Sequence, residues 1–208
     1  MMKFSAALAL VFSLMMQAAV AQTVTILALG DSLTAGYGLQ PSDAFPVKLE
    51  AALKARGLDV KVINAGVSGD TALDGLSRLE WSLSDDVNAV IVELGANDAL
   101  RGLAPQQAET AIDGILSKLG ERKLPVLLAG MRAPPNLGPD YQASFDGMFP
   151  KLAQKHGALL YPFFLDGVAA EINLNQADGM HPNPAGIDVI VSRILPKVEE
   201  LIKKAVEK

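Results

Sequence analysis

Residue types suited to acyl transfer stand near opposite ends of this 208-residue chain. Ser32 follows a short apolar run, residues 26–29, in a small polar turn. Far along the chain, Asp178 and His181 are three positions apart, and His181 is one of only two histidines. A serine hydroxyl, an imidazole that takes its proton and a carboxylate that orients the imidazole can together perform nucleophilic catalysis. These residues therefore predict an acyl-enzyme mechanism with Ser32 as nucleophile, His181 as general base and Asp178 as its partner.

The segments that must position these residues alternate between strand-like and helix-like patterns. Such alternation, with nearly continuous apolar strands, favours an α/β domain whose parallel sheet is covered on both faces. Five strands in a single domain indicate a doubly wound, flavodoxin-like sheet. The predicted strands are 23–29, 60–64, 89–94, 126–129 and 158–161, and the predicted helices are 43–56, 70–80, 105–120, 141–156 and one that begins after Asn183.

Polar and glycine-rich turns follow the first three predicted strands, and another precedes the last helix. Because ligands bind at the carboxyl ends of parallel strands, we expect these turns to share one rim of the sheet. An acyl transfer also needs hydrogen-bond donors for the oxyanion. We expect the backbone N–H groups of Ser32 and Gly66 and the side-chain amide of Asn97 to supply them.

Each of these residues alone has a simpler interpretation. Ser32 could be a helix N-cap, and Gly66 and Asn97 could be turn residues. Their joint occurrence at successive strand ends favours the catalytic interpretation. Thr34 occupies the last position of the Gly-x-Ser-x-Gly spacing, so the nucleophile elbow of α/β-hydrolases is absent. The second histidine, His156, precedes a glycine at a predicted helix end, where a structural role is favoured.

The amino-acid composition argues against several classes of binding partner and of functional site. The formal net charge is −5 and no basic patch is evident, which argues against a nucleic-acid partner. Cysteine is absent, which excludes disulfides, thiolate nucleophiles and cysteine-based zinc sites. Oligomeric state is left open by the sequence.

The N-terminal residues predict export. Residues 1–3 are short and positive, residues 4–16 are almost purely apolar, and Ala19-Val20-Ala21 fits the cleavage rule of a signal peptide. An uncleaved membrane anchor is the alternative, but the apolar run is short for a span. We therefore expect residues 1–21 to be removed, leaving 22–208 as one catalytic domain, periplasmic or secreted, without a stable membrane anchor.

Four ordered motifs resemble those of the GDSL or SGNH hydrolase superfamily. They are Gly30-Asp31-Ser32-Leu33, Gly66, Gly95-Ala96-Asn97-Asp98 and Asp178-Gly179-Met180-His181-Pro182. The sequences that flank these motifs are similar to those of a group of bacterial periplasmic esterases, which are called arylesterase, acyl-CoA thioesterase I or lysophospholipase L1. The resemblance implies a three-layer α/β/α fold, a triad of Ser32, Asp178 and His181, oxyanion donors at Ser32, Gly66 and Asn97, and no metal or other cofactor. Ala96 stands where that group commonly has glycine, so acyl preference can differ.

The leading prediction is a serine esterase acting on small aryl or alkyl carboxylic esters, with thioesters and lysophospholipids as further expected substrates. No insertion is long enough to form a lid, and we expect an open groove walled by residues 100–104, 133–141 and 163–175. A carbohydrate O-deacetylase is the alternative within the same class. It is disfavoured because the single tryptophan, Trp81, is expected to pack in the core. A non-catalytic, flavodoxin-like module that binds phosphate or FMN is the alternative from another class.

Overall fold

A five-stranded, all-parallel sheet lies at the centre of the molecule. The computed structural model of the protein describes residues 23–207. The spatial order of the strands is β2-β1-β3-β4-β5, which is the doubly wound order of flavodoxin-like sheets. This confirms the predicted fold class and strand number. The strands are β1 (Val24–Gly30), β2 (Val60–Gly66), β3 (Ala89–Glu93), β4 (Val126–Ala129) and β5 (Leu159–Tyr161).

Helices cover both faces of the sheet and complete three layers. The helices are α1 (Ser32–Ala35), α2 (Phe45–Ala55), α3 (Ala72–Ser82), α4 (Ala96–Leu100), α5 (Pro105–Glu121), α6 (Pro139–His156) and α7 (Pro184–Val206), and short 3-10 turns span Pro41–Asp43 and Pro135–Leu137. Helices α2 and α7 pack together on one side, while α5 packs between α3 and α6 on the other. The α/β/α arrangement is therefore as expected.

Burial explains why the central strands have nearly continuous apolar sequences. Every residue of β1 and of β3 is buried, since helices exclude water from both faces of the sheet. The apolar stripe of α5, recognised from its helical spacing, is buried as predicted. These buried elements form a rigid base whose strands all end at the same rim.

The structure differs from the sequence interpretation at Trp81 and in two short helices. The prediction that Trp81 packs in the core is wrong, because 94% of the residue is exposed at the end of α3. Helices α1 and α4 were not predicted, since four or five residues are too few to show a helical period. The structural role expected for His156 is confirmed by a 2.6 Å contact between its Nε2 and Asp113 Oδ1.

The predicted signal peptide, residues 1–21, lies outside the described residues. Within residues 23–207, none of the helices combines the length and the apolar character that a membrane span requires.

Candidate active site

Ser32 is the first residue of α1, directly beyond the carboxyl end of β1. The Asp31 carboxylate caps this helix by accepting a 3.0 Å hydrogen bond from the Leu33 N–H. The backbone N–H of Ser32 lies in the first turn, where helical N–H groups lack intrahelical acceptors. The side chain and this amide therefore face the carboxyl rim of the sheet.

His181 and Asp178 form a locally closed pair in the loop before α7. His181 Nδ1 lies 2.7 Å from Asp178 Oδ2, while Asp178 Oδ1 accepts hydrogen bonds from the Met180 and His181 N–H groups. The bonds from these two amides, first His181 and then Met180, and the imidazole bond lower the pKa of Asp178 to about 2. The carboxylate is thus ionised near neutral pH and accepts the Nδ1 proton.

The same imidazole reaches the hydroxyl of Ser32. His181 Nε2 lies 3.0 Å from Ser32 Oγ, within hydrogen-bond distance. Because the Asp178 carboxylate accepts the proton on Nδ1, a neutral ring presents Nε2 as an acceptor for the Ser32 hydroxyl proton. The structure brings the three residues of the predicted triad together in bonding order.

Asn97, in α4, presents the nitrogen of its amide to the site. Its Nδ2 donates to Asp31 Oδ2 at 3.1 Å and to the carbonyl of Asp70 at 3.0 Å. Two acceptors on opposite segments orient the amide with its donor end inward. An oxyanion at this position would have to replace the Asp31 carboxylate as one of the two acceptors.

The prediction for Gly66 needs a correction. Its N–H donates to the side chain of Asn64 at 2.9 Å, so it is already satisfied and not aimed at a ligand. A Cβ atom at Gly66 would lie 2.2 Å from the Ala35 amide nitrogen. Glycine is therefore required here because β2 packs closely against the end of α1.

The N–H of Gly69, three residues later, is free to donate. Among residues 23–207, its N–H has no hydrogen-bond acceptor. Its φ of +90° favours glycine. The carbonyl of Gly69 accepts from Arg101 at 2.6 Å, and the carbonyl of the next residue, Asp70, is the one that accepts from Asn97. The sequence signal was present in the glycine-rich turn after β2, but the sequence alone could not decide which glycine amide faces the rim.

Two arginines that sequence reasoning missed hold this turn in place. Arg78 donates to the Asp70 carboxylate at 2.6 Å and to the carbonyl of Gly30 at 2.9 Å. Arg101 donates to the carbonyl of Gly69. Arg78 lies on α3 and Arg101 is the C-cap residue of α4, and only the folded geometry shows that both bind this turn.

Two buried carboxyl groups lie directly beneath Ser32. Glu93 is fully buried at the end of β3 and accepts a 2.7 Å hydrogen bond from the Thr34 hydroxyl. Burial, with the neighbouring Asp31 charge, raises the pKa of Glu93 well above its ordinary value. Burial also raises the pKa of Asp31 to about 6. Burial therefore favours the protonated form of Glu93 beneath Ser32.

An open cavity of about 540 Å³ leads from Ser32 and His181. Most of its wall is apolar, and it includes Ala96, as expected from the sequence. Arg132 lies at the wall with its guanidinium 4.9 Å from the centre of the Phe163 ring. The predicted wall segments 100–104, 133–141 and 163–175 each contribute residues, among them Leu100, Ala133, Pro134, Pro135, Phe163, Leu165 and Ala170.

Comparison with known proteins places the whole site within one family. A profile of the GDSL-like Lipase/Acylhydrolase family matches residues 28–189. Esterase TesA of Pseudomonas aeruginosa is 39% identical over 199 residues, covering 95% of this chain and 97% of that protein. The Arylesterase of Vibrio mimicus is 36% identical over 197 residues, covering 94% of this chain and 97% of that protein.

A solved structure is similar in both sequence and fold. The crystal structure of AlinE4, described as a SGNH-hydrolase family esterase, is 49% identical with a TM-score of 0.73. The superposition covers 86% of this chain and 96% of that chain. The similarity therefore extends over most of both chains.

Proposed function

This chain belongs to the GDSL-like lipase/acylhydrolase family and is a carboxylic ester hydrolase, and we propose that it is a serine esterase for small aryl and alkyl carboxylic esters. The observation that carries the proposal is the continuous contact from Ser32 Oγ through the His181 ring to the Asp178 carboxylate. Membership of a hydrolase family sets aside the non-catalytic binding module.

In the first half-reaction, His181 Nε2 takes the hydroxyl proton as Ser32 Oγ attacks the ester carbonyl carbon. The tetrahedral intermediate then collapses, the bond to the leaving oxygen breaks, and His181 donates its proton to the departing alcohol. Ser32 is left as an acyl ester. In the second half-reaction, His181 takes a proton from water, the resulting hydroxide attacks the acyl carbonyl, and the proton returns to Ser32 as the carboxylic acid leaves. Asp178 stabilises the imidazolium in both steps.

In both half-reactions, the negative charge that forms on the carbonyl oxygen needs hydrogen-bond donors. We assign this role to the Ser32 N–H, the Asn97 amide nitrogen and, in place of Gly66, the Gly69 N–H. Asn97 and Gly69 are held in place before substrate arrives, by Asp31 and Asp70 and by Arg101 respectively. The oxyanion then replaces the Asp31 carboxylate as one acceptor of Asn97, and donors held in position stabilise the charge that forms in the transition state.

The substrate class follows from the cavity and from the relatives. An open, mainly apolar wall suits a hydrocarbon chain or an aromatic ring beside the scissile ester. One relative is itself named an arylesterase. Thioesters and lysophospholipids present the same acyl carbonyl, and we include them as further substrates. The exposure of Trp81 does not favour the carbohydrate deacetylase, because this residue is not among those that line the cavity.

We further propose, from the sequence of residues 1–21, that the chain is exported and cleaved before Gln22. The intact mass of the protein recovered from an exporting host tests this directly. A product that starts at Gln22 is expected, and a product that retains residues 1–21 would contradict it.

Hydrolysis of p-nitrophenyl butyrate by the Ser32→Ala variant tests the nucleophile. The expected kcat is below about 0.1% of wild type, because removing a triad member costs several orders of magnitude. Ser77→Ala is the matched control: it removes an exposed hydroxyl on α3 that bonds only to the carbonyl of Leu73. A Ser32→Ala enzyme that keeps more than a few per cent of wild-type turnover would refute the assignment.

A further inference from the structure

The nucleophile and the base lie on segments that are remote in sequence. Ser32 is on α1, beside the turn that contains Tyr37, and His181 is in the loop before α7. Their 3.0 Å contact links residues 149 positions apart. Neither the sheet nor a helix joins the two segments, so other contacts must hold the distance between them.

Gln176 makes contacts of this kind. Its side-chain Nε2 donates to the carbonyl of Tyr37 at 2.8 Å and to the carbonyl of Pro182 at 3.0 Å. Its backbone N–H donates to the carbonyl of His181 at 2.7 Å. One amide group thus bonds to both segments at once and uses both of its side-chain protons.

Tyr37 continues the connection to the nucleophile. Its backbone N–H donates to the carbonyl of Ser32 at 3.1 Å. Its ring lies against the His181 ring, with centroids 4.7 Å apart and planes inclined by 40°. A continuous path of hydrogen bonds therefore runs from Ser32 through Tyr37 and Gln176 to the loop of His181.

The surroundings of Gln176 leave little freedom for the amide. Gly38 has a φ of +73°, which favours glycine, and a Cβ atom there would lie 2.2 Å from Gln176 Oε1, so the amide packs directly on this backbone. An antiparallel bridge between Asn175 and Pro182 closes the loop beside it. The amide is thus fixed between two backbone segments.

We propose that Gln176 is a positioning residue, which sets the distance between Ser32 Oγ and His181 Nε2 by tying the turn at Tyr37 to the loop of Asp178 and His181. The inference rests on the proposed function, since it concerns the proposed triad. Gln176 itself does not contact Ser32 and takes no proton. Its removal leaves the Asp178–His181 pair intact, because that pair is closed by bonds within its own loop.

The test is steady-state hydrolysis of p-nitrophenyl butyrate by Gln176→Leu, which keeps the size of the side chain but removes its donors. The expected fall in kcat is ~10- to 100-fold, since a displacement of about 1 Å in a catalytic group has an effect of this order. KM is expected to stay within about twofold, because the cavity wall is unchanged. Gln107→Leu is the matched control, an exposed glutamine on α5 whose replacement leaves kcat unchanged.

A second readout separates positioning from a general loosening of the loop. The NMR chemical shift of the proton on His181 Nδ1 is expected to match wild type in Gln176→Leu, because its bond to Asp178 stays in place. A wild-type kcat, a loss confined to KM, or a changed chemical shift of this proton would each overturn the inference. Gln176→Glu, which keeps the length but lacks both donors, is expected to show the same fall in kcat, and wild-type kcat in this variant would also overturn it.

Measuring Ser32→Ala in the same assay distinguishes failure of the proposed function from failure of the proposed role of Gln176. An active Ser32→Ala variant would refute the proposed function itself. An inactive Ser32→Ala beside a fully active Gln176→Leu would refute only the role of Gln176.

Discussion

The Nδ1 atom of His181 lies 2.7 Å from a carboxylate oxygen of Asp178, three residues earlier in the same loop. The two N–H groups that bond the other carboxylate oxygen come from this loop as well. The proposed general base and its orienting group are therefore preorganised locally, and only the proposed nucleophile, Ser32, must be brought from elsewhere in the chain.

The first prediction concerns this pair. Asp178→Asn is expected to lower kcat by about 10⁴-fold with little change in fold, since an amide stabilises the wrong imidazole tautomer and cannot compensate the imidazolium charge. The measurement is kcat for p-nitrophenyl butyrate near neutral pH. Asp188→Asn, an exposed carboxylate on α7 paired with Lys48, is the matched control. A loss smaller than about tenfold would contradict a triad role for Asp178.

The second prediction tests the oxyanion donors. Asn97→Ala is expected to lower kcat for p-nitrophenyl butyrate by about 10²- to 10³-fold, which is the usual effect of losing one side-chain donor to an oxyanion. KM should change little, because the charge forms only in the transition state. An Asn97→Ala enzyme whose kcat stays within about threefold of wild type would remove Asn97 from the oxyanion site.

The third prediction concerns the buried acid beneath Ser32. Glu93 has a raised pKa, so the folded state keeps its proton over a pH range in which the unfolded state has lost it. The contribution of Glu93 to the free energy of unfolding is therefore greatest below the ordinary carboxyl pKa and is lost as pH rises through the raised pKa of the folded state. Glu93→Gln imitates the protonated acid and does not titrate, so its stability does not have this dependence on pH.

Urea denaturation of both proteins from pH 4 to pH 9 measures the effect. The free energy of unfolding of wild type, relative to Glu93→Gln, is expected to decline as pH rises. Asp31, whose pKa is raised to about 6, is present in both proteins, so the comparison reports Glu93 together with its interaction with Asp31. A difference between the two proteins that stays constant over this pH range would show that folding does not raise the pKa of Glu93.

The fourth prediction follows from the position of Trp81. Since 94% of this residue is exposed, Trp81→Ser is expected to change the free energy of unfolding by less than about 0.5 kcal/mol. Phe145→Ala, which truncates a fully buried aromatic ring on α6, should cost ~3–5 kcal/mol in the same denaturation experiment. A loss above about 1 kcal/mol for Trp81→Ser would mean that its ring packs against a partner surface.

The sheet could be predicted from the sequence because the apolar pattern of its strands follows from their burial. A strand covered on both faces must be apolar throughout, as β1 and β3 are, and the long stripe of α5 repeats over several turns. The prediction for Trp81 was wrong because an apolar stripe does not show how far around the helix burial extends. Helices α1 and α4 were not predicted because they are shorter than the period by which a helix is detected in a sequence.

The site was predictable to the level of residue type and less so to the level of individual atoms. Ser32, Asp178 and His181 carry side chains whose chemistry is specific, so the sequence identifies them as candidates, and the structure brings them within hydrogen-bond distance. A backbone N–H belongs to every residue except proline, so the choice between Gly66 and Gly69 depends on which amide the folded turn leaves without an acceptor. Gln176 has no reactive group, and its contacts with Tyr37 and Pro182 exist only once the chain has folded.

The most direct test of the central claim is the site of covalent labelling by a fluorophosphonate, mapped by peptide mass spectrometry. A nucleophilic hydroxyl activated by His181 attacks phosphorus, displaces fluoride and keeps the phosphonyl group. The account predicts one adduct per chain, on the peptide that contains Ser32, with loss of esterase activity in proportion to labelling. Labelling at any other residue, or full inactivation with Ser32 unmodified, would contradict it.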